Sequence, residues 1–102
     1  MAEFVTVARL EDIPSGTIKT YYVGDQHLAV ANVDGHIYAI EDVCTHDGGP
    51  LGDGEVEDCE VECPRHGARF DLRTGAAKAF PAVVGVRTYE VRVEGSEIKI
   101  AL

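Results

Sequence analysis

No apolar stretch in these 102 residues approaches the roughly 20 needed for a helix to cross a bilayer. The opening Met1-Ala2-Glu3-Phe4 lacks the basic and apolar regions of a secretory signal. The expectation is a soluble, cytoplasmic chain with no membrane partner. Internal repeats, low-complexity segments and long Gly/Pro tracts are also missing, so the 11 glycines read as turn punctuation. Basic residues are scarce: nine Lys and Arg stand against 18 Asp and Glu, a formal charge of −9. That balance excludes a nucleic-acid binder, which needs clustered cations to meet phosphates. It favours a partner protein that presents a basic patch. Cysteine is sparse and odd in number, with only Cys44, Cys59 and Cys63. A secreted disulfide scaffold would use an even set, and Cys beside His in a reducing compartment points to metal. Helical periodicity is missing too, since no segment sustains an apolar 3.6-residue repeat.

Strand and turn signals fill the chain instead. The length fits one compact domain, and 45% hydrophobic residues can build its core. Phe4-Val5-Thr6-Val7 reads as a short strand, and Leu10 to Ile13 as one helical turn. Pro14-Ser15-Gly16 turns the chain into the β-branched and aromatic run Thr17 to Val23. Gly24-Asp25 is the next turn, and His27 to Val33 and His36 to Ile40 flank the hairpin signal Asp34-Gly35. Short strands are expected at Gly54–Glu57, Glu60–Glu62, Arg69–Leu72 and Ala77–Phe80. Val86 to Val93 alternates as a single strand, and Glu97 to Ala101 pairs back after Glu94-Gly95-Ser96. The expectation is an all-β, antiparallel sandwich or partly open barrel. Residues 1–42 and 82–102 would form the base of the single domain 1–102, and residues 43–81 an insert at one end.

That insert holds all three cysteines and the chemistry. Cys44-Thr45-His46 and Cys63-Pro64-Arg65-His66 each lie in a Gly/Pro-rich loop, with 16 residues between the pairs. Such loops can fold closely round a small inorganic group. Two thiolates and two imidazoles suit either zinc or an iron–sulfur cluster. A structural zinc site usually presents Cys-x2–4-Cys with its His pair elsewhere. Here each loop gives one Cys and one His, which suits a binuclear centre with both thiolates on one iron and both imidazoles on the other. Coincidental core cysteines remain the bland alternative.

The pattern Cys-x-His-x16-Cys-x2-His, with the strings Cys44-Thr45-His46 and Cys63-Pro64-x-His66-Gly67, resembles the Rieske ferredoxin family. Leu10-Glu11-Asp12-Ile13-Pro14-x-Gly16 and the closing hairpin resemble that family's base domain. The resemblance implies one [2Fe–2S] cluster per chain, bound by Cys44, His46, Cys63 and His66. It implies a Rieske-type β-sandwich or barrel with a small cluster-binding insert. It also implies an electron carrier that is not an enzyme by itself. The partners implied are a flavin-dependent ferredoxin reductase and the terminal ring-hydroxylating oxygenase of an aromatic-hydrocarbon pathway, with the carrier a monomer. Gly48 and Gly67 fall in the ligand loops, and Pro81 resembles the proline of a third loop that covers the cluster. A second proline near it is absent from Val83 to Gly85.

Departures from the respiratory members set the expected potential. Those proteins carry an extra cysteine in each loop, where this chain has Gly49 and Arg65. They also place Ser and Tyr hydroxyls where this chain has Ala68 and Phe70. Fewer donors leave the reduced charge less stabilised, at the low end of the Rieske window of about −150 to +300 mV. Charge is uneven round the ligands. Seven acids and no Lys or Arg lie between Cys44 and Cys63, and Arg65, Arg69, Arg73 and Lys78 follow. Arg65 is therefore a candidate docking residue, and transfer rates should depend on salt. Cys59 reads as a spectator in an Asp58-Cys59 turn. The competing functions are a small Rieske subunit of a larger oxidoreductase, such as assimilatory nitrite reductase, and a ferredoxin serving cluster assembly.

Overall fold

A computed structural model describes residues 3–43, 51–52, 54–63, 67–79 and 85–102. Eleven strands are present among them: β1 (Phe4–Arg9), β2 (Thr17–Val23), β3 (Gln26–Val33), β4 (His36–Glu41), β5 (Glu55–Glu57), β6 (Glu60–Glu62), β7 (Arg69–Asp71), β8 (Ala77–Ala79), β9 (Thr88–Tyr89), β10 (Val91–Glu94) and β11 (Glu97–Ala101). A single 3-10 turn at Leu10–Asp12 follows β1, and no described helix is long and apolar enough to cross a membrane. The all-β expectation holds.

Three antiparallel sheets result, ordered β1-β11-β10, β2-β3-β4-β9 and β5-β6-β7-β8. The second sheet is the middle layer, and β3 shows why. Its residues Leu28 to Asn32 are all buried. Successive side chains on a strand point to opposite faces, so continuous burial means that both faces are covered. Leu28 and Val30 pack with Ala8, Ile13, Ala39, Ile98 and Ile100 on one side. Ala29 and Ala31 pack on the other with Ile18, Ile40, Leu51, Val61, Phe70 and Leu72. Small side chains on that second face suit the bulk of Phe70, Leu51 and Leu72. The sheet β5–β8 is thereby anchored through one shared core.

Two sequence expectations change. The alternating run 86–93 is divided: Thr88 and Tyr89 pair with Ile40 and Ala39 of β4, whereas Val91 to Glu94 pair with β11 in another sheet. Glu90 is the corner, and its carbonyl accepts the Ala101 N–H at 3.0 Å. Alternation continues through such a corner, because each half still buries one face. The strand expected over Arg69–Leu72 ends at Asp71, because the Asp71 carboxylate builds the next turn. Its Oδ1 accepts the N–H groups of Arg73 at 2.7 Å and Thr74 at 3.3 Å. Phe80, at the end of the expected fourth insert strand, lies outside the described residues.

Asp71 is buried, which opposes its ionisation and is the largest single influence on it. The Arg73 guanidinium, its charge, and the Arg73 and Thr74 N–H groups together outweigh burial and hold the carboxyl below its ordinary value. A depressed folded value gives stability that is complete above the unfolded value of about 4 and is lost as pH falls through the folded one. Asp71→Asn should therefore flatten the acid limb of a thermal-unfolding profile against pH. Parallel profiles for the two proteins would show that Asp71 contributes nothing there.

Candidate metal centre

The structure describes Cys63 among the four sequence-predicted ligands, and Gly67, Ala68 and Phe70 among their expected neighbours. Cys44, His46, His66, Gly48, Arg65 and Pro81 lie outside the described residues. The ends of the loops that carry them are described, and these ends define the site.

The second loop joins β6 to β7. Its two feet are tied: the Cys63 N–H donates to the Ala68 carbonyl at 2.7 Å, and the Gly67 N–H to the Cys63 carbonyl at 3.1 Å. Gly67 sits at φ +77°, a left-handed conformation that glycine adopts without cost. Cys63 is only 1% exposed, and Ala68 and Phe70 are fully buried beside it in one cluster. No hydroxyl occupies either of these two positions, in keeping with the absence noted from sequence.

The first loop leaves β4 and returns to β5. Its feet are held by Asp42, whose Oδ1 accepts the Leu51 and Gly52 N–H groups, both at 2.7 Å. Its Oδ2 accepts the Thr20 hydroxyl at 2.9 Å. A Cβ on Gly52 would overlap Thr20 Oγ1, and one on Gly54 would overlap the Glu62 carbonyl oxygen. The return segment thus lies directly on β2 and β6. A third segment re-enters at Val86, whose N–H donates to the Gly75 carbonyl at 2.7 Å.

Leu51, Cys63, Ala68 and Val86 belong to the same buried cluster. The described ends of three separate segments therefore meet in one core, with a thiol among them. A donor set of two thiols and two imidazoles on loops rooted there fits a compact binuclear iron–sulfur group. Sequence reasoning missed Asp42, Thr20 and the close approach of Gly52 and Gly54. An acid two residues before Cys44 was visible, but its burial was not.

Cys59 stands apart. It occupies the β5–β6 turn at φ +60°, after Asp58 at φ +53°, and its carbonyl accepts the Leu72 N–H at 3.0 Å. It lies across β6 from Cys63, about 13 Å along an extended chain. Tyr38 is its neighbour. Burial pushes the Tyr38 phenol above its ordinary value, and Cys59 adds to the effect.

The acidic strip is more structured than the sequence implies. Glu55 faces Glu62 and Glu57 faces Glu60 across the hairpin, while Val56 and Val61 face each other on the alternate side. Like charges in direct opposition cost stability. Arg69 offsets this from β7, with Nε 2.9 Å from Glu60 and Nη1 4.0 Å from Glu62. The Glu60 hydrogen bond pushes the guanidinium further above its ordinary value. The strip and the cations after it are thus partly paired, not two separate bands.

A family model described as the Rieske [2Fe–2S] domain matches residues 3–90. The ferredoxin component of the naphthalene 1,2-dioxygenase system of Pseudomonas aeruginosa is 37% identical over 100 residues, which cover 98% of this chain and 96% of that one. The ferredoxin of carbazole 1,9a-dioxygenase from Nocardioides aromaticivorans IC177 superposes with a TM-score of 0.92 at 38% identity, covering 96% of each chain. A ferredoxin solved in complex with the oxygenase of carbazole 1,9a-dioxygenase gives a TM-score of 0.89 at 35% identity, covering 96% of this chain and 92% of that one. The chain belongs to the Rieske [2Fe–2S] domain family. The cofactor of this family is one [2Fe–2S] cluster per chain.

Proposed function

We propose that this chain is the ferredoxin component of a ring-hydroxylating oxygenase system, with Cys44, His46, Cys63 and His66 holding its cluster. The observation that carries this reading is the near end-to-end match to ferredoxin components of dioxygenase systems, at 37% identity in sequence and a TM-score of 0.92 in structure. Its partners are a flavin-dependent reductase on one side and a terminal oxygenase on the other, and it works as a cytoplasmic monomer. Bound in this site, the cluster supplies reversible one-electron chemistry.

The chain's own residues do the rest. The Cys63 N–H and carbonyl bonds hold the backbone of that ligand between β6 and β7. Leu51, Ala68, Phe70 and Val86 keep water from the buried side of the centre. Ala68 and Phe70 offer no hydroxyl to a sulfur. The exposed acids Glu55 and Asp58 place negative charge on the β5–β6 hairpin, which would steer a basic partner.

The test is a redox titration of the purified holoprotein, followed by mixing of the reduced form with candidate acceptors. Two irons and two sulfides per chain and a midpoint of about −150 mV are expected. Reoxidation by a ring-hydroxylating oxygenase, slowed by added salt, is expected too. A midpoint above zero, or reoxidation only by a sirohaem nitrite reductase, would overturn it.

A further inference from the structure

Asp42 is only 7% exposed, yet it carries a carboxylate on the inner side of the first loop. Three donors converge on it: two backbone N–H groups on Oδ1 and the Thr20 hydroxyl on Oδ2. Its own N–H donates to the His27 carbonyl on β3 at 2.9 Å, so the residue is fixed to the middle sheet at both ends.

The consequence lies in what the clip joins. Asp42 precedes Cys44 by two residues, and Leu51 follows the first ligand pair. Leu51 is fully buried in the cluster that also contains Cys63 and Ala68. Holding the Leu51 N–H therefore sets the first loop against the core in which the second loop is rooted. We infer that Asp42 is a positioning residue of the metal centre: its carboxylate ties the return of the first ligand loop, at Leu51 and Gly52, to the chain two residues before Cys44. The inference rests on the ligand reading proposed above. Loss of the acceptor should cost metal retention, as loss of a group supporting a ligand generally does.

Asn32 supplies the control. It is a buried polar clip of the same kind, donating from Nδ2 to the Ile13 carbonyl at 2.8 Å and accepting the Gly35 N–H at 2.8 Å. It lies at the Asp34-Gly35 hairpin, the opposite end of β3 from the His27 carbonyl that Asp42 meets.

The experiment compares iron and sulfide per chain for wild type, Asp42→Ala, Asp42→Asn, Thr20→Val and Asn32→Ala. Asp42→Ala should retain about ten-fold less iron than wild type after dialysis against chelator. Asn32→Ala, though destabilised, should stay loaded at the wild-type level. Asp42→Asn keeps an oxygen for both N–H groups, so it should retain iron at the wild-type level. Full loading of Asp42→Ala, equal iron loss from Asn32→Ala, or iron loss from Asp42→Asn as large as from Asp42→Ala would each overturn the inference. If Asp42→Ala does not fold, Thr20→Val decides: it removes the hydroxyl that holds Oδ2 and should lose iron faster than wild type, and wild-type retention would overturn the inference. A wild-type chain without [2Fe–2S] absorption would instead overturn the ligand reading, and this inference with it.

Discussion

Cys63→Ala should yield a folded, colourless chain without iron or sulfide, whereas Cys59→Ala should load fully. The two cysteines flank the same three-residue strand, so the contrast isolates the role of one sulfur. The bonds that close the Cys63 loop run through its backbone N–H and carbonyl, and alanine retains both. Removing a buried sulfur costs about 1–2 kcal/mol in lost packing, too little to unfold a domain of ordinary stability. With Cys44, His46, Cys63 and His66 as the proposed ligands, the metal would lose one of its two thiolates. Cys59 lies at the opposite end of β6, and its structural task is the carbonyl that holds the Leu72 N–H. Absorption, iron content and sulfide content read the result directly. Iron retained at the wild-type level in Cys63→Ala, or lost in Cys59→Ala, would overturn the assignment of Cys63. Zinc in the wild-type protein would overturn the cofactor itself.

The family's cluster pattern was legible because it is local, and the match to the Rieske [2Fe–2S] domain over residues 3–90 agrees with it. Cys and His two or three residues apart, between Gly and Pro, need no knowledge of the rest of the chain. The strands were legible for the same reason, through β-branched runs and turn pairs such as Asp34-Gly35. The layering was less so. Leu28-Ala29-Val30-Ala31 is continuously apolar, and that run marks a strand covered on both faces, but only the fold says by what. The division at Glu90 was hidden because the alternation of Val86 to Val93 persists as the chain changes sheets. Asp42 was hidden most deeply. Acids are usually exposed, and the three donors that satisfy this one come from β2 and from residues nine and ten positions on. Long-range satisfaction of a buried charge leaves no periodic trace in a sequence.

Glycine spacing gives the second large expected effect, and it separates two uses of the same residue. Gly54→Ala should destabilise the protein by about 3 kcal/mol or more, and Gly24→Ala by only about 1 kcal/mol. Gly24 is in the β2–β3 turn at φ +59°, with nothing within 4 Å of where a Cβ would stand, so alanine pays only backbone strain. Gly54 has no left-handed conformation to defend. Its missing Cβ instead makes room for the Glu62 carbonyl oxygen, which belongs to β6 and cannot move without disturbing the pairing of β6 with β5 and β7. The Gly54 N–H also donates to the Leu51 carbonyl at 2.9 Å, beside the segment that Asp42 holds. Alanine there must push the return of the first loop off β6. At about 4–8 °C per kcal/mol for a domain of this size, the melting temperature should fall by roughly 12 °C or more. Metal should be lost over the same range, since the displaced segment leads back toward His46. A Gly54→Ala protein that melts with Gly24→Ala would mean that the strands yield at that point. In that case the close approach of loop and β6 does not hold the insert together.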